Sequence, residues 1–263
     1  MLSGSRFLSS YFIQRVSQVR GLLHYKCQYY AGNGILYPKL CESDFRSMNQ
    51  IAMNHSSAVA YAKTSVFGRL KRKIYDSYSS KTKINVSAQL VYESCVDGID
   101  WNEFIEYFGL PDTLHSWFLL VQLHVWMCVL VLVSETQGRI FRNVLIDAMW
   151  NDVEARLDKL AVIKSSKKKE YLAELLSQFQ AALISYDEGI LGDDTCLAAA
   201  VWRTMFNFRD VDPRTVEDMV YYIRRQLSHL DSLNTENMLF YGKIKFLPLK
   251  DIIEEANKEK ELL

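Results

Sequence analysis

Four carboxylates, Asp187, Glu188, Asp193 and Asp194, lie within eight residues of one another. Carboxylates so grouped can bind a metal ion, or act as acid and base with His115 or His124 as a partner. The segment itself contains no His, and carboxylates alone are a weak catalytic signal. Other catalytic patterns are missing. There is no Gly-rich phosphate loop, no Gly-x-Ser-x-Gly elbow, no His-Glu-x-x-His and no Glu-x-x-His pair; Asp112-x-x-His115 is the nearest approach. The five cysteines, Cys27, Cys41, Cys95, Cys128 and Cys196, are scattered with no Cys-x-x-Cys spacing, which speaks against a zinc or thioredoxin-type site. No metal or cofactor is implied.

The same carboxylates have a structural reading. Leu172, Leu175, Leu176, Phe179, Ala182 and Leu183 recur at helical spacing before them, and Leu197, Ala200, Val201, Thr204, Met205 and Phe208 after them. This predicts two amphipathic helices joined by a short acidic loop. Gly189 is expected to stop the first in a left-handed conformation. Asp193 or Asp194 is expected to cap the second by accepting from its free N–H groups.

Few Gly and Pro (11 and 4 of 263 residues) and 49% apolar content predict helices around a real core. Equal numbers of bases and acids, 31 each, give no global electrostatic case for nucleic acid. Residues 117–133 hold no formal charge, with Asp112 or Thr113 as a cap upstream. The expectation is a buried central helix, hydrophobic all round, with His124 as a hydrogen-bonded core residue. A single inner-membrane span is the alternative reading. Further helices are expected at about 51–78, 86–96, 101–108, 144–160, and from Asp212-Pro213 on, where an Asp cap precedes Pro in the first turn. Residues 240–249 read as a short strand or extended arm, and 251–260 as a solvated helix or disordered tail.

The first 41 residues contain Arg6, Arg15, Arg20, Lys26 and Lys39 and no acid, with interspersed Ser. That is the composition of a mitochondrial transit peptide. A second basic cluster, Arg69, Lys71, Arg72 and Lys73, could meet RNA phosphates or anionic lipid head groups; the alternative is a solvated face. The resulting layout is a targeting segment and linker over 1–45, a helical domain over 46–235 and a C-terminal arm and tail over 236–263. The fold class is all-α: a single helical bundle with a buried central helix, a disordered N-terminal targeting segment and an irregular C-terminal arm.

Four strings, LHVWMC (123–128), MWNDVEAR (149–156), SYDEGILGDDTCLAAAVWRTMF (185–206) and YYIRRQLSHLDSLN (221–234), resemble the ubiquinol–cytochrome c chaperone family in order and spacing. The resemblance runs from about Asn85 to Leu249. It implies a non-catalytic, all-helical assembly factor for mitochondrial respiratory complex III, at the matrix side of the inner membrane and in peripheral contact with it. It also implies a small partner assembly factor, nascent cytochrome b as client, and a position near the mitochondrial ribosome. Within the acidic string, Tyr186, Asp187, Glu188, Asp193, Asp194, Trp202 and Arg203 become candidate contacts for partner or client.

Overall fold

The apolar stretch beginning at Leu114 sets the architecture. The structure, a computed structural model, describes residues 66–133, 135, 137–159 and 165–261, with side chains from residue 81 on except those of Ser165 and Ser166. The targeting segment lies outside the described residues. Nine helices occur among those described: α1 (Val66–Asp97), α2 (Trp101–Phe108), α3 (Leu114–Leu132), α4 (Gly138–Lys159), α5 (Ser165–Leu191), α6 (Asp194–Thr204), α7 (Pro213–Ser232), α8 (Thr235–Tyr241) and α9 (Leu249–Glu261). The fold is all-α. From Lys83 to the C-terminus the chain forms one compact unit.

Because α3 is apolar on every side, it can be satisfied only by neighbours on every side. It starts at Thr113, whose side chain accepts from the Ser116 N–H, and 16 of its 19 residues are buried. By length and composition α3 could cross a membrane, but helices of this chain surround it, as a core helix requires. It packs on α4 and α7; α5 pairs with α6, α6 with α7, and α9 with α7.

Asp212 caps α7 by accepting from the Arg214 N–H, with Pro213 in the first turn, as its sequence requires. Two differences from expectation concern length. No Gly or Pro interrupts residues 69–97, and α1 runs unbroken where two helices were expected. The C-terminal stretch is more ordered than an irregular arm. It forms α8, a non-helical connection over 242–248 and α9, whose Leu249, Ile252, Ile253 and Ala256 are buried. Their spacing gives α9 an apolar stripe, diluted in the sequence by eight charged residues among its thirteen. Arg225–Glu255 (2.8 Å) and Lys260–Asp218 (2.9 Å) join α9 to α7.

A chain of polar groups fastens the non-helical connection to the core. Leu247 N–H donates to Gln226 Oε1 (3.2 Å), while Gln226 Nε2 donates to Leu247 O (2.6 Å) and Tyr222 Oη (3.1 Å). Tyr222 in turn lies 2.7 Å from His124 Nε2, and His124 Nδ1 lies 2.7 Å from Leu120 O. Every contact is satisfied when His124 is neutral and protonated on Nδ1, with Nε2 accepting from the tyrosine. Burial holds the imidazole pKa down at about 4.

Gly242, where α8 ends at φ +62°, comes so close to α1 that a Cβ there would lie 2.6 Å from Leu90 Cβ. A side chain is excluded both by that contact and by the left-handed backbone.

Candidate interaction surface

The α5–α6 hairpin carries the acidic string, and its two helices approach closely. Gly189 is not a left-handed stop. Helix α5 continues through it to Leu191, and a Cβ on Gly189 would meet Leu197 Cα at 2.9 Å and Ala200 Cβ at 3.1 Å. The missing side chain lets α6 lie against α5. The break comes at Gly192, and Asp193 opens α6 by accepting from the Cys196 N–H at 2.9 Å. That hydrogen bond lowers the Asp193 pKa.

The candidate contact residues separate into two groups. Tyr186 and Asp187 are buried, each about 1% exposed, so they belong to the core and not to a loop surface. Asp187 Oδ1 accepts from Trp126 Nε1 on α3 at 2.8 Å, and the Trp126 and Tyr186 rings pack with centroids 5.1 Å apart. Both face inward because α5 continues through them as a helix and turns them toward Trp126 on α3. Glu188, Asp193, Asp194, Trp202 and Arg203 are exposed. Asp194 pairs with Arg224 on α7 at 3.0 Å, which ties the start of α6 to its neighbour.

At the other end of α6 the backbone does something unusual. Asn207 (φ +47°) and Phe208 (φ +59°) both adopt left-handed conformations without being glycine. Asn tolerates this region; Phe does not, and such strain persists only where surroundings fix it. The Phe208 N–H donates to Trp202 O (3.3 Å), and Trp202 Nε1 donates to Arg209 O (2.8 Å). These bonds set Phe208 edge-on against the Trp202 ring, 5.2 Å between centroids at 81°. Trp202 is 39% and Phe208 59% exposed, so two aromatic rings stand together in solvent, flanked by exposed Arg203 and Arg209. Phe208 was expected on the buried stripe of α6. The helix ends at Thr204 and carries it outside instead. Asn207 was the available sequence signal for that ending.

The arrangement offers little for catalysis at the acidic string. His124 is committed to Leu120 and Tyr222, and Asp187 to Trp126. His115, half-buried at the start of α3, has its pKa lowered by burial and partly restored by Glu174. Among the described residues no group of three or more His, Cys, Asp or Glu side chains could hold a metal ion. Arg69, Lys71, Arg72 and Lys73 fall on the first turns of α1, and their side chains lie outside the described residues. What this surface can do is bind: aromatic and arginine side chains dominate protein interfaces.

Residues 106–246 match the ubiquinol–cytochrome c chaperone family, more than half of the chain. The chain belongs to that family. Among its relatives is the ubiquinol–cytochrome c reductase complex assembly factor 1 of Mus musculus, 43% identical over 171 residues. The alignment covers 65% of this chain and 58% of the mouse protein's length. The Xenopus laevis protein of the same name is also 43% identical over 171 residues, covering 65% of this chain and 85% of that protein. The crystal structure of the Cbp3 homolog from Brucella abortus superposes with a TM-score of 0.55 at 18% identity, covering 71% of this chain and 98% of that one. At that identity the likeness speaks for the fold. The matched region contains the α5–α6 hairpin and the Trp202–Phe208 pair.

Proposed function

We propose that this chain is an assembly factor for mitochondrial respiratory complex III and has no catalytic role. The observation that carries this reading is the family match over residues 106–246, with relatives named as complex III assembly factors. In this reading the protein works at the matrix side of the inner membrane. It holds newly made cytochrome b together with a small partner assembly factor, near the mitochondrial ribosome. The N-terminal 45 residues direct import, and the basic cluster at 69–73 contributes a peripheral contact with an anionic surface.

The geometry supports a binding role through the exposed pair Trp202 and Phe208. Two adjoining aromatic rings in water, held by a strained backbone and flanked by arginines, are costly unless they are covered in the working state. Exposed Arg203 adjoins Trp202 in sequence, and Glu188 and Asp193 are exposed elsewhere on the α5–α6 hairpin. Affinity purification of the tagged full chain from mitochondria tests the reading. Cytochrome b and a small mitochondrial protein should co-purify with wild type and be depleted with Trp202→Ala/Phe208→Ala. Absence of cytochrome b from the wild-type eluate would contradict it.

A further inference from the structure

At the corner where α3 gives way to α4, polar groups accumulate that find no partner among the described residues. Arg142, in the second turn of α4, is 8% exposed, yet its guanidinium makes no ion pair or hydrogen bond among the described residues. Burial lowers its pKa, and Arg139, one turn earlier, lowers it further as a like charge. Gln137 Oε1 and Asn143 Oδ1 are buried there and also lack hydrogen-bond partners. Between them Ile140 is 36% exposed. The first turn of α4 carries no acidic residue, so the positive end of the helix dipole adds to the two arginines.

The rest of the fold treats comparable charges differently. Arg224 meets Asp194, Arg225 meets Glu255, and Asp218 takes both Lys260 and the Tyr107 hydroxyl. A largely buried arginine beside a like charge, with no carboxylate to meet it among the described residues, is unfavourable. Its needs define what would complete it. The guanidinium calls for a carboxylate, to which it can bind through two parallel N–H donors. The two amide oxygens call for N–H donors. A phosphate or lipid head group of phosphate type would answer the arginines alone. An acidic stretch of polypeptide supplies carboxylate and main-chain N–H together, and Ile140 offers it an apolar contact.

We propose that the first two turns of α4, through Gln137, Arg139, Arg142 and Asn143, form a docking site for an acidic segment of a protein partner. This goes beyond the assembly role and stands whether or not the client is cytochrome b. The test places the photo-crosslinker p-benzoylphenylalanine at Ile140, and separately at Arg139, in the full chain expressed in cells, with adducts identified by mass spectrometry. Adducts should map to a protein segment containing Asp or Glu. In an Arg142→Met background their yield should fall at least tenfold. Purified Arg142→Met should melt at the wild-type temperature or above, since the charge it removes has no partner among the described residues. Three results would overturn the proposal: a clear drop in that melting temperature, adducts to lipid or to nothing at both positions, or a yield unchanged by Arg142→Met.

Discussion

Trp126 and Asp187 are hydrogen-bonded across the core, the indole N–H of α3 donating to the carboxylate of α5 at 2.8 Å. The bond joins the central helix to the hairpin that carries the exposed aromatic pair. It also removes Asp187 from any surface chemistry. A hydrogen bond to a charged group is worth roughly 1.5–3 kcal/mol. Trp126→Phe should therefore destabilise the protein by about 2 kcal/mol or more, with the lost indole volume adding to the loss. A double-mutant cycle with Asp187→Asn, read by urea denaturation, should show a coupling energy of about 1 kcal/mol or more. Zero coupling would mean the two side chains are independent.

Gly189 distinguishes two roles that a glycine can have. A left-handed stop tolerates Asn, whereas a close helix–helix contact tolerates neither Asn nor Ala. Because a Cβ at Gly189 would press on the α6 backbone at Leu197, Gly189→Ala should cost on the order of 1–3 kcal/mol and Gly189→Asn at least as much. Thermal melting of the two variants decides. An Asn variant as stable as wild type would restore the left-handed stop.

These two residues show what was legible in the sequence and what was not. Helical periodicity and the Asp193 and Asp212 caps are local signals, and α6 and α7 begin where those signals lie. The charge-free run at 117–133 is equally plain, and it forms the buried centre. Asp187 was misplaced because its role depends on α3, which is distant in sequence, and Gly189 because its role depends on how closely α6 packs back on α5. A glycine inside a helix and a glycine after one look alike until the neighbouring helix is present. Phe208 failed for a related reason: its spacing fits the stripe of α6, but the helix stops before reaching it. Arg142 gave no signal at all, since burial of a single charge within an amphipathic stretch leaves the periodicity intact.

The His124 network predicts a pH dependence. Because the folded imidazole has its pKa depressed from 6.5 to about 4, the unfolded chain binds the proton more readily. The contribution is then fully present above pH 6.5 and is lost as pH falls from 6.5 towards 4. The loss should reach roughly 3 kcal/mol at the acid end. Phe104 and Phe246 pack edge-on against the imidazole and carry no charge to offset it. The stability difference between wild type and His124→Phe, followed by urea denaturation from pH 7 to pH 4.5, should shift steadily against wild type. A difference that stays constant with pH would show that His124 does not titrate in this way.

The exposed aromatic pair should be dispensable for folding. Trp202 and Phe208 pack on each other where both are exposed, so their replacement by Ala removes little buried packing and leaves the left-handed backbone at 208 as it was. Trp202→Ala/Phe208→Ala is expected to change stability by about 1 kcal/mol or less, the scale of surface substitutions and a single aromatic pair. Circular dichroism melts of the purified variant check this. A large loss of stability would mean that the pair supports the fold.

The amount of assembled complex III in cells that lack this chain tests the assembly role most directly, read by native gel electrophoresis with detection of cytochrome b. Assembled complex III should be strongly depleted in such cells. The wild-type chain should restore it, while an equally abundant Trp202→Ala/Phe208→Ala protein should restore only a small part. Complex III at normal levels in the absence of the chain would contradict the account.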